Sequence, residues 1–421
     1  MSTPAPRGTD VPARAYDVAL LDLDGVVYVG SVGVPGAAEA LAGVRGVGMR
    51  LAFVTNNAFR TPAAVAGHLR ELGVTADPGE VVTSAQAACR LLAERLPAGA
   101  RVLVLGGDGL RSEAAAYGFE VVTSADDGPA AVVQGYSPDT GWRELAEAAV
   151  AINRGAWWLA TNLDSTLPSS RGPLPGNGSM VAALRTATGI DPPFAGKPDP
   201  ALHREAVIRT GAMHPLVVGD RLDTDVEGAV RVGCDSMVVL TGLTTATTLL
   251  AATPGQRPTY VAAGLEGLLV PHPAPEPVDG GWACRGWTVA GPAAGPLVLG
   301  GAGEPLDALR ALCAAAWSGS GSGLGSGPGS GSGLGPGSGL GPESGPGSRP
   351  RPGPGPGSGL GSGYGPGVRS GSGPGSGLGP PEVRAGSAAA GAALAALGLT
   401  PRPEHVAPAD PGAGAGAGGS S

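Results

Sequence analysis

Short, mostly apolar runs recur along the first 270 residues of the chain. Longer stretches separate them, in which apolar residues return every three or four positions. The runs lie at about 17–23, 51–55, 101–105, 119–123, 130–134, 156–160, 216–218, 236–240 and 259–261. Most lack the alternation of a half-exposed strand, so they predict strands buried on both faces. The longer stretches predict helices at about 35–44, 61–73, 84–95, 109–117, 142–154, 179–188, 200–210 and 264–270. Thr61 before Pro62, with Gly73 beyond the last turn, supplies a start and a stop for one of them. Strands alternating with helices predict an α/β fold on a doubly wound parallel sheet.

The same pattern divides the chain. Residues 1–16 are polar and rich in Pro and Ala, which predicts a flexible arm. Residues 17–76 and 191–272 form the expected core, and 77–190 a self-contained α/β unit inserted into it. From 280 to 317 the pattern changes. Trp282, Cys284, Trp287 and Val289 alternate as in a hairpin, and an amphipathic helix follows at about 304–317. Residues 318–381 are a Gly/Ser/Pro-rich repeat that cannot bury enough apolar surface to fold, so a disordered segment is expected. A small-residue helix at about 388–399 lies within 382–400. It makes the repeat either an insert within a small C-terminal α+β module or a linker to one short helix. Residues 401–421 are expected to be a disordered tail.

Composition narrows the function. The 421 residues carry a net charge of −8, without a basic run, which argues against a nucleic-acid surface. No apolar stretch is long enough to span a bilayer, so membrane insertion is not expected. Cys89, Cys234, Cys284 and Cys313 show no C-x-x-C spacing and suit a reducing compartment, so a cytoplasmic location is expected. Lys197 is the only lysine; every other basic side chain is arginine. A lysine that persists against such a bias marks a place where a compact point charge is needed and a wide planar fork does not serve.

Four motifs fall at strand ends or a helix start. They are Asp22-x-Asp24, Thr55-Asn56-Asn57, Lys197 in AGKPDP, and Gly219-Asp220 with Asp223 and Asp225. A doubly wound sheet collects its strand ends along one edge. Clustered carboxylates repel unless a cation sits among them, and hard oxygen ligands with water suit Mg²⁺. Lys197 with Mg²⁺ would offset a phosphoryl dianion, while Thr55 and nearby backbone N–H groups donate to its oxygens. Asp22 is the candidate nucleophile, forming an aspartyl phosphate, and Asp24 the general acid and base. Asp220 is a candidate metal ligand, and Asp223 or Asp225 would hold its waters or orient Lys197. For Asp223 a plain helix N-terminal role is the stronger reading. The glycines of VLVLGGDGLRSE (102–113) do not make a dinucleotide loop, because Ser112 stands where the third glycine is required, and they read as a tight turn.

DLDGVVYVG, FVTNN, GKPDP and VVGDRLDTDVEGA, in this order, resemble the four motifs of the haloacid dehalogenase-like hydrolases. The long spacer between Thr55 and Lys197 resembles the class IIA arrangement, with an α/β cap at 77–190. The resemblance implies that Asp22, Asp220 and the backbone carbonyl of Asp24 bind Mg²⁺, and that Asn56 and Asn57 join Thr55 and Lys197 around the substrate. It implies a small phosphorylated metabolite as substrate and leaves a homo-oligomer through the cap open. The segments 134–149 and 161–189 are similar to actinobacterial glycerol 3-phosphate phosphatases, whose C-terminal domain resembles part of an acetyltransferase. Glycerol 3-phosphate is therefore the expected substrate. Other small phosphomonoesters (phosphoglycolate, a nucleotide monophosphate, pyridoxal phosphate, an aryl phosphate) and a non-catalytic binding module are the alternatives. Asn162, Asp164, Pro168, Arg171 and Asn177 lie in the loop expected to meet the substrate, though ordinary turn roles are equally open for each.

Overall fold

Strand Val18–Leu21 stands inside a six-stranded sheet and pairs on one side with Pro215–Gly219 and on the other with Arg50–Thr55. The computed structural model from which this architecture is drawn describes residues 11–167, 169, 171–291, 295–318 and 379–399. The sheet runs Tyr260–Ala262, Asp235–Val239, Pro215–Gly219, Val18–Leu21, Arg50–Thr55, Val81–Thr83, and every pair is parallel. Its strands lack alternation because both faces are covered. Ala19, Leu21, Phe53 and Val218 pack into one apolar cluster, while Val18, Leu20, Val54 and Val217 pack into another on the opposite face.

The chain order reverses at the pairing of Val18–Leu21 with Pro215–Gly219. Successive strands run outward from that line in both directions. Such a switch point opens a crevice at the carboxyl ends of the strands. The register sets Leu21 opposite both Val218 and Phe53, so Asp22, Asp220 and Thr55 emerge side by side.

A second sheet of four parallel strands has the order Glu120–Val122, Arg101–Leu105, Ala131–Gln134, Trp157–Ala160. In sequence it lies between the strands Val81–Thr83 and Pro215–Gly219 of the first sheet. One of its faces, with Val102, Val104 and Val133, shares an apolar cluster with the first sheet. Leu103, Val132 and Trp158 on the other face are covered by helices Trp142–Asn153 and Asn177–Thr188.

The structure corrects several expectations. Within the flexible arm expected over residues 1–16, Pro12–Ala15 form a short helix, and Ala13 and Tyr16 are buried in the core, where the Tyr16 hydroxyl donates to Asp235. Val81–Thr83 is a strand of the first sheet, although sequence assigned everything from residue 77 to the insert. Three residues are too few to show a period. Residues Leu222–Val226 form a π-helical turn ahead of the helix Glu227–Val232, and the expected helix at 264–270 is a short 3-10 turn, Leu265–Leu269. Two short antiparallel pairs were not foreseen: Tyr28–Val29 with Val32–Gly33, and Thr166–Leu167 with Leu174–Pro175.

The glycine turn before helix Asp108–Ala116 has a steric cause. A Cβ at Gly109 would lie 2.6 Å from the Arg60 carbonyl oxygen, and one at Gly107 would strike the Phe59 ring. The Gly109 N–H donates to the Phe59 carbonyl at 2.9 Å. These glycines let the insert press its first turn onto the loop that follows Thr55-Asn56-Asn57.

An ion cluster also ties the insert to the core. Glu205, fully buried on helix Pro200–Thr210, accepts from Arg90 on helix Ser84–Arg95 and from Arg209 at 2.5 Å. Its replacement by Gln should cost about 2–3 kcal/mol in urea unfolding, below the range for a fully buried pair because both arginines reach solvent.

The C-terminal module is a five-stranded mixed sheet. Glu276–Val278, Gly281–Cys284, Trp287–Ala290 and Leu297–Gly301 are antiparallel neighbours, and Val383–Ala385 joins the last in parallel. Helices Pro305–Ser318 and Ala388–Ala396 cover it, and Trp287 is buried in its core with its indole N–H on the Glu304 carbonyl. The Gly/Ser/Pro-rich stretch is therefore an insert within the module's sequence; Ser318, expected at its start, ends a helix, and the disorder expected of 319–378 concerns residues outside those described. A chain cut after Ser318 loses one strand and one helix of this module. Such a truncation should retain turnover but melt at a lower temperature, which enzyme assay and thermal unfolding would check. Among the described residues, no helix is long and apolar enough to cross a membrane, and all four cysteines are free.

Candidate active site

At the switch point the chain places three carboxylates and one ammonium within contact. Oxygens of Asp22, Asp220 and Asp225 all lie within 4.8 Å of one another. Lys197 arrives on the loop ahead of helix Pro200–Thr210, whose first turn is capped by Asp199. Its Nζ donates to Asp22 Oδ1 and to the Val54 carbonyl, and pairs with Asp225 Oδ1 at 2.7 Å. The π-helical turn brings Asp225 back under Gly219, and Asp225 Oδ2 accepts the Arg221 N–H at 3.1 Å. Asp225 is thus committed to Lys197 and its own loop. Asp22 and Asp220 remain for a cation.

Asp220 is held tightly. Its Oδ2 accepts the Leu243 N–H at 2.7 Å, and its Oδ1 is buried without any hydrogen-bond donor among the described residues. A Cβ at Gly25 or Gly242 would strike its carboxylate, so both positions need glycine for this close approach. A buried carboxylate oxygen with no donor, beside a second carboxylate, is a hard-oxygen pair suited to Mg²⁺.

Charge balance supports the same conclusion. Burial, reinforced by the neighbouring Asp225 and Asp220 charges, pushes Asp22 up to about 8 against the pull of Lys197. Burial and the Asp225 charge push Asp220 up to about 6. Burial alone would lower Lys197, but Asp22 and Asp225 outweigh it and hold the ammonium above its ordinary value. One ammonium does not balance three carboxylates, and a divalent cation would.

Asp24 lines the same cavity, of about 360 Å³, with its carboxylate reachable by solvent. Partial burial raises it above the usual carboxylate value, against the pull of Lys197, Arg60 and His68. Thr55 is buried, and its Oγ1 accepts the Asn57 N–H at 3.1 Å, leaving the hydroxyl proton to donate. Asp223 does not join the cluster; both its oxygens hold the Arg221 guanidinium, at 3.0 and 2.8 Å.

Asn56 and Asn57 line the cavity, but their side chains hold the loops in place. Asn57 Oδ1 accepts the Phe59 and Arg60 N–H groups. Asn56 Oδ1 accepts the Lys197 N–H at 2.8 Å, while its Nδ2 donates to the Lys197 carbonyl and to Asp164 Oδ2 at 3.1 Å. One asparagine therefore fixes the lysine loop and a loop of the insert together. Asn162 and Asn177 continue this network, and both line the cavity with Asp164. Arg171 is exposed and is not among the lining residues, and Pro168 lies outside the described residues. Arg221, inside the GDRLDTD motif but given no role from sequence, also lines the cavity, as do Tyr136, Thr241 and Leu243.

Known proteins place the chain. Residues 19–120 match the haloacid dehalogenase-like hydrolase family and 194–268 the HAD-hydrolase-like family. Residues 284–331 match a GCN5-related N-acetyltransferase like domain. D-glycerol 3-phosphate phosphatase of Mycobacterium tuberculosis is 55% identical over 256 residues, 61% of this chain and 72% of that protein. Acid sugar phosphatase of Staphylococcus aureus is 36% identical over 234 residues, 55% of this chain and 89% of that protein. The crystal structure of a glycerol phosphate phosphatase from Mycobacterium tuberculosis in complex with magnesium is 40% identical with a TM-score of 0.73, covering 93% of this chain and 100% of that one. With the switch-point carboxylates, the lone lysine and these likenesses in agreement, the chain belongs to the haloacid dehalogenase-like hydrolases.

Proposed function

We propose that the protein is a Mg²⁺-dependent phosphomonoester hydrolase whose substrate is glycerol 3-phosphate. The observation that carries the reading is the trio Asp22, Lys197 and Asp220 at the switch point, with Asp24 in the same cavity. The substrate follows from the likeness to the D-glycerol 3-phosphate phosphatase. Asp22, Asp220 and the Asp24 carbonyl would hold Mg²⁺, and the bound cation would supply charge to offset the repulsion between the Asp22 carboxylate and a phosphoryl dianion.

The protein's own groups do the rest. Lys197 and Thr55 hold the phosphoryl oxygens. An Asp22 carboxylate oxygen attacks phosphorus, and the bond to the glycerol oxygen breaks. Asp24, kept protonated more readily by its partial burial, gives its proton to that oxygen. Glycerol leaves. Water then attacks the phosphorus of the aspartyl phosphate, Asp24 takes a proton from it, and phosphate departs with Asp22 restored. Asp225 positions Lys197, and Asp223 keeps Arg221 in place. The free cysteines suit a reducing, cytoplasmic location.

Phosphate release tests the reading. The panel is glycerol 3-phosphate, phosphoglycolate, a nucleotide monophosphate, pyridoxal phosphate and an aryl phosphate, each with and without Mg²⁺. A preference for glycerol 3-phosphate that chelation abolishes is expected. Metal-dependent turnover of another ester would replace the substrate only, and no turnover at all would overturn the enzyme reading.

Metal binding should also show in stability. A carboxyl whose folded pKa is raised keeps its proton while the unfolded chain ionises, so its contribution falls as pH rises toward the folded value. For Asp22 that window reaches about 8. His203, which burial depresses to about 4, opposes this only below about 6.5 and is neutral above it. The melting temperature of the metal-free protein should therefore fall from pH 6.5 to 8. The gain on adding Mg²⁺ should be larger at pH 8, as differential scanning fluorimetry would show. An equal gain at both values would argue against Asp22 in the metal site.

A further inference from the structure

Asp164 meets the cavity across Asn56 from Lys197. Its Oδ2 is fixed by the Asn56 amide, and its own N–H is held by Asn162 Oδ1 at 3.2 Å. Asn162 in turn donates to the Asn56 carbonyl at 2.8 Å and accepts, through its carbonyl, from Asn177 at 2.7 Å. The carboxylate is therefore rigidly placed. Its second oxygen, Oδ1, accepts no hydrogen bond among the described residues.

The charges around the cavity are spoken for. Lys197 serves Asp22 and Asp225, and Arg221 gives two of its N–H groups to Asp223 while its charge also acts on Asp164. No other lysine or arginine is among the lining residues. A leaving group bearing a carboxylate would meet the Asp164 charge, with Arg221, the nearest other cation of the lining, already shared between Asp223 and Asp164. One bearing hydroxyls would find an acceptor.

We infer that Asp164 sets the substrate class of this site: its free oxygen accepts a hydroxyl proton from a neutral polyol leaving group, and its charge repels leaving groups that carry a carboxylate. The inference rests on the phosphatase reading and deepens it.

The test uses the full chain with Mg²⁺ and compares kcat/KM for glycerol 3-phosphate, phosphoglycolate and p-nitrophenyl phosphate. The variants are Asp164→Asn and Asp164→Ser. Asparagine can keep an oxygen for the Asn56 amide while removing the charge, and serine is the second variant should asparagine disturb the fold. The aryl ester offers no aliphatic hydroxyl and no carboxylate, so it is the reference within each variant.

Loss of a hydrogen bond to a charged group should lower the ratio of glycerol 3-phosphate to aryl phosphate roughly tenfold to 100-fold. The ratio of phosphoglycolate to aryl phosphate should rise. Both ratios staying within about threefold of wild type in both variants would overturn the inference, because a merely structural residue lowers all three substrates together. If wild type cleaves the aryl ester but not glycerol 3-phosphate, the proposed substrate fails by itself, and the phosphoglycolate ratio still decides on Asp164. Absence of all turnover in wild type would remove both readings.

Discussion

Asp22→Asn is expected to lower turnover by roughly 10⁴-fold or more, the scale seen when a nucleophile is removed from a concerted site. The amide is nearly the same shape, yet its oxygen is a poor nucleophile toward phosphorus and its nitrogen cannot form the aspartyl phosphate. Folding should survive the change. Wild-type Asp22 is pushed up to about 8 by burial and by Asp225 and Asp220, so its charge is held at a cost to the metal-free protein. Removing that charge leaves Lys197 paired with Asp225 at 2.7 Å. The metal-free variant should melt no lower than wild type at pH 8 and should respond less to Mg²⁺. Phosphate release and calorimetry measure the two halves separately. An active variant, shown by mass spectrometry not to have deamidated, would remove Asp22 from the nucleophile's role.

The chemistry was legible where a residue type had one physical reason to stand in its place. Asp22 and Asp220 follow apolar runs that could only be buried strands, and parallel pairing carried both to one crevice. Lys197 stood out because nothing else in the chain is lysine. What sequence did not reveal depends on distance in space. Asn56 looked like a phosphate-side residue, but its side chain is spent on the Lys197 loop and Asp164, 141 and 108 positions away. The glycines at 106–109 read as a turn for its own sake; their reason is the Phe59 ring and Arg60 carbonyl of a distant loop. Val81–Thr83 was too short to show a period, so the sheet's edge was taken for part of the insert. Val383–Ala385 follows the long repeat and shows no period of its own, yet it pairs with Leu297–Gly301.

Replacing Lys197 separates charge from shape. Lys197→Met leaves Asp22 and Asp225 facing each other without a cation, in a place where the lysine side chain is only 3% exposed. Removing one partner of a buried charge pair costs about 3–5 kcal/mol, so unfolding in urea should show a loss of that order. The loss should be smaller at pH 5 than at pH 8, because Asp22, already raised by burial, sheds its charge by taking up a proton once its cation is gone. Turnover should vanish with the phosphoryl oxygens' ammonium partner. Lys197→Arg keeps the charge and is the sharper test. The guanidinium is a planar fork, and the slot is closed by Asp22, Asp225 and the Val54 carbonyl, 3.3 Å from the ammonium. Overpacking there should cost about 1–3 kcal/mol, and the misplaced fork should reduce kcat at least 100-fold, close to the methionine variant. An arginine variant with wild-type kcat would show that positive charge alone suffices, and that the single lysine owes nothing to the geometry of the site.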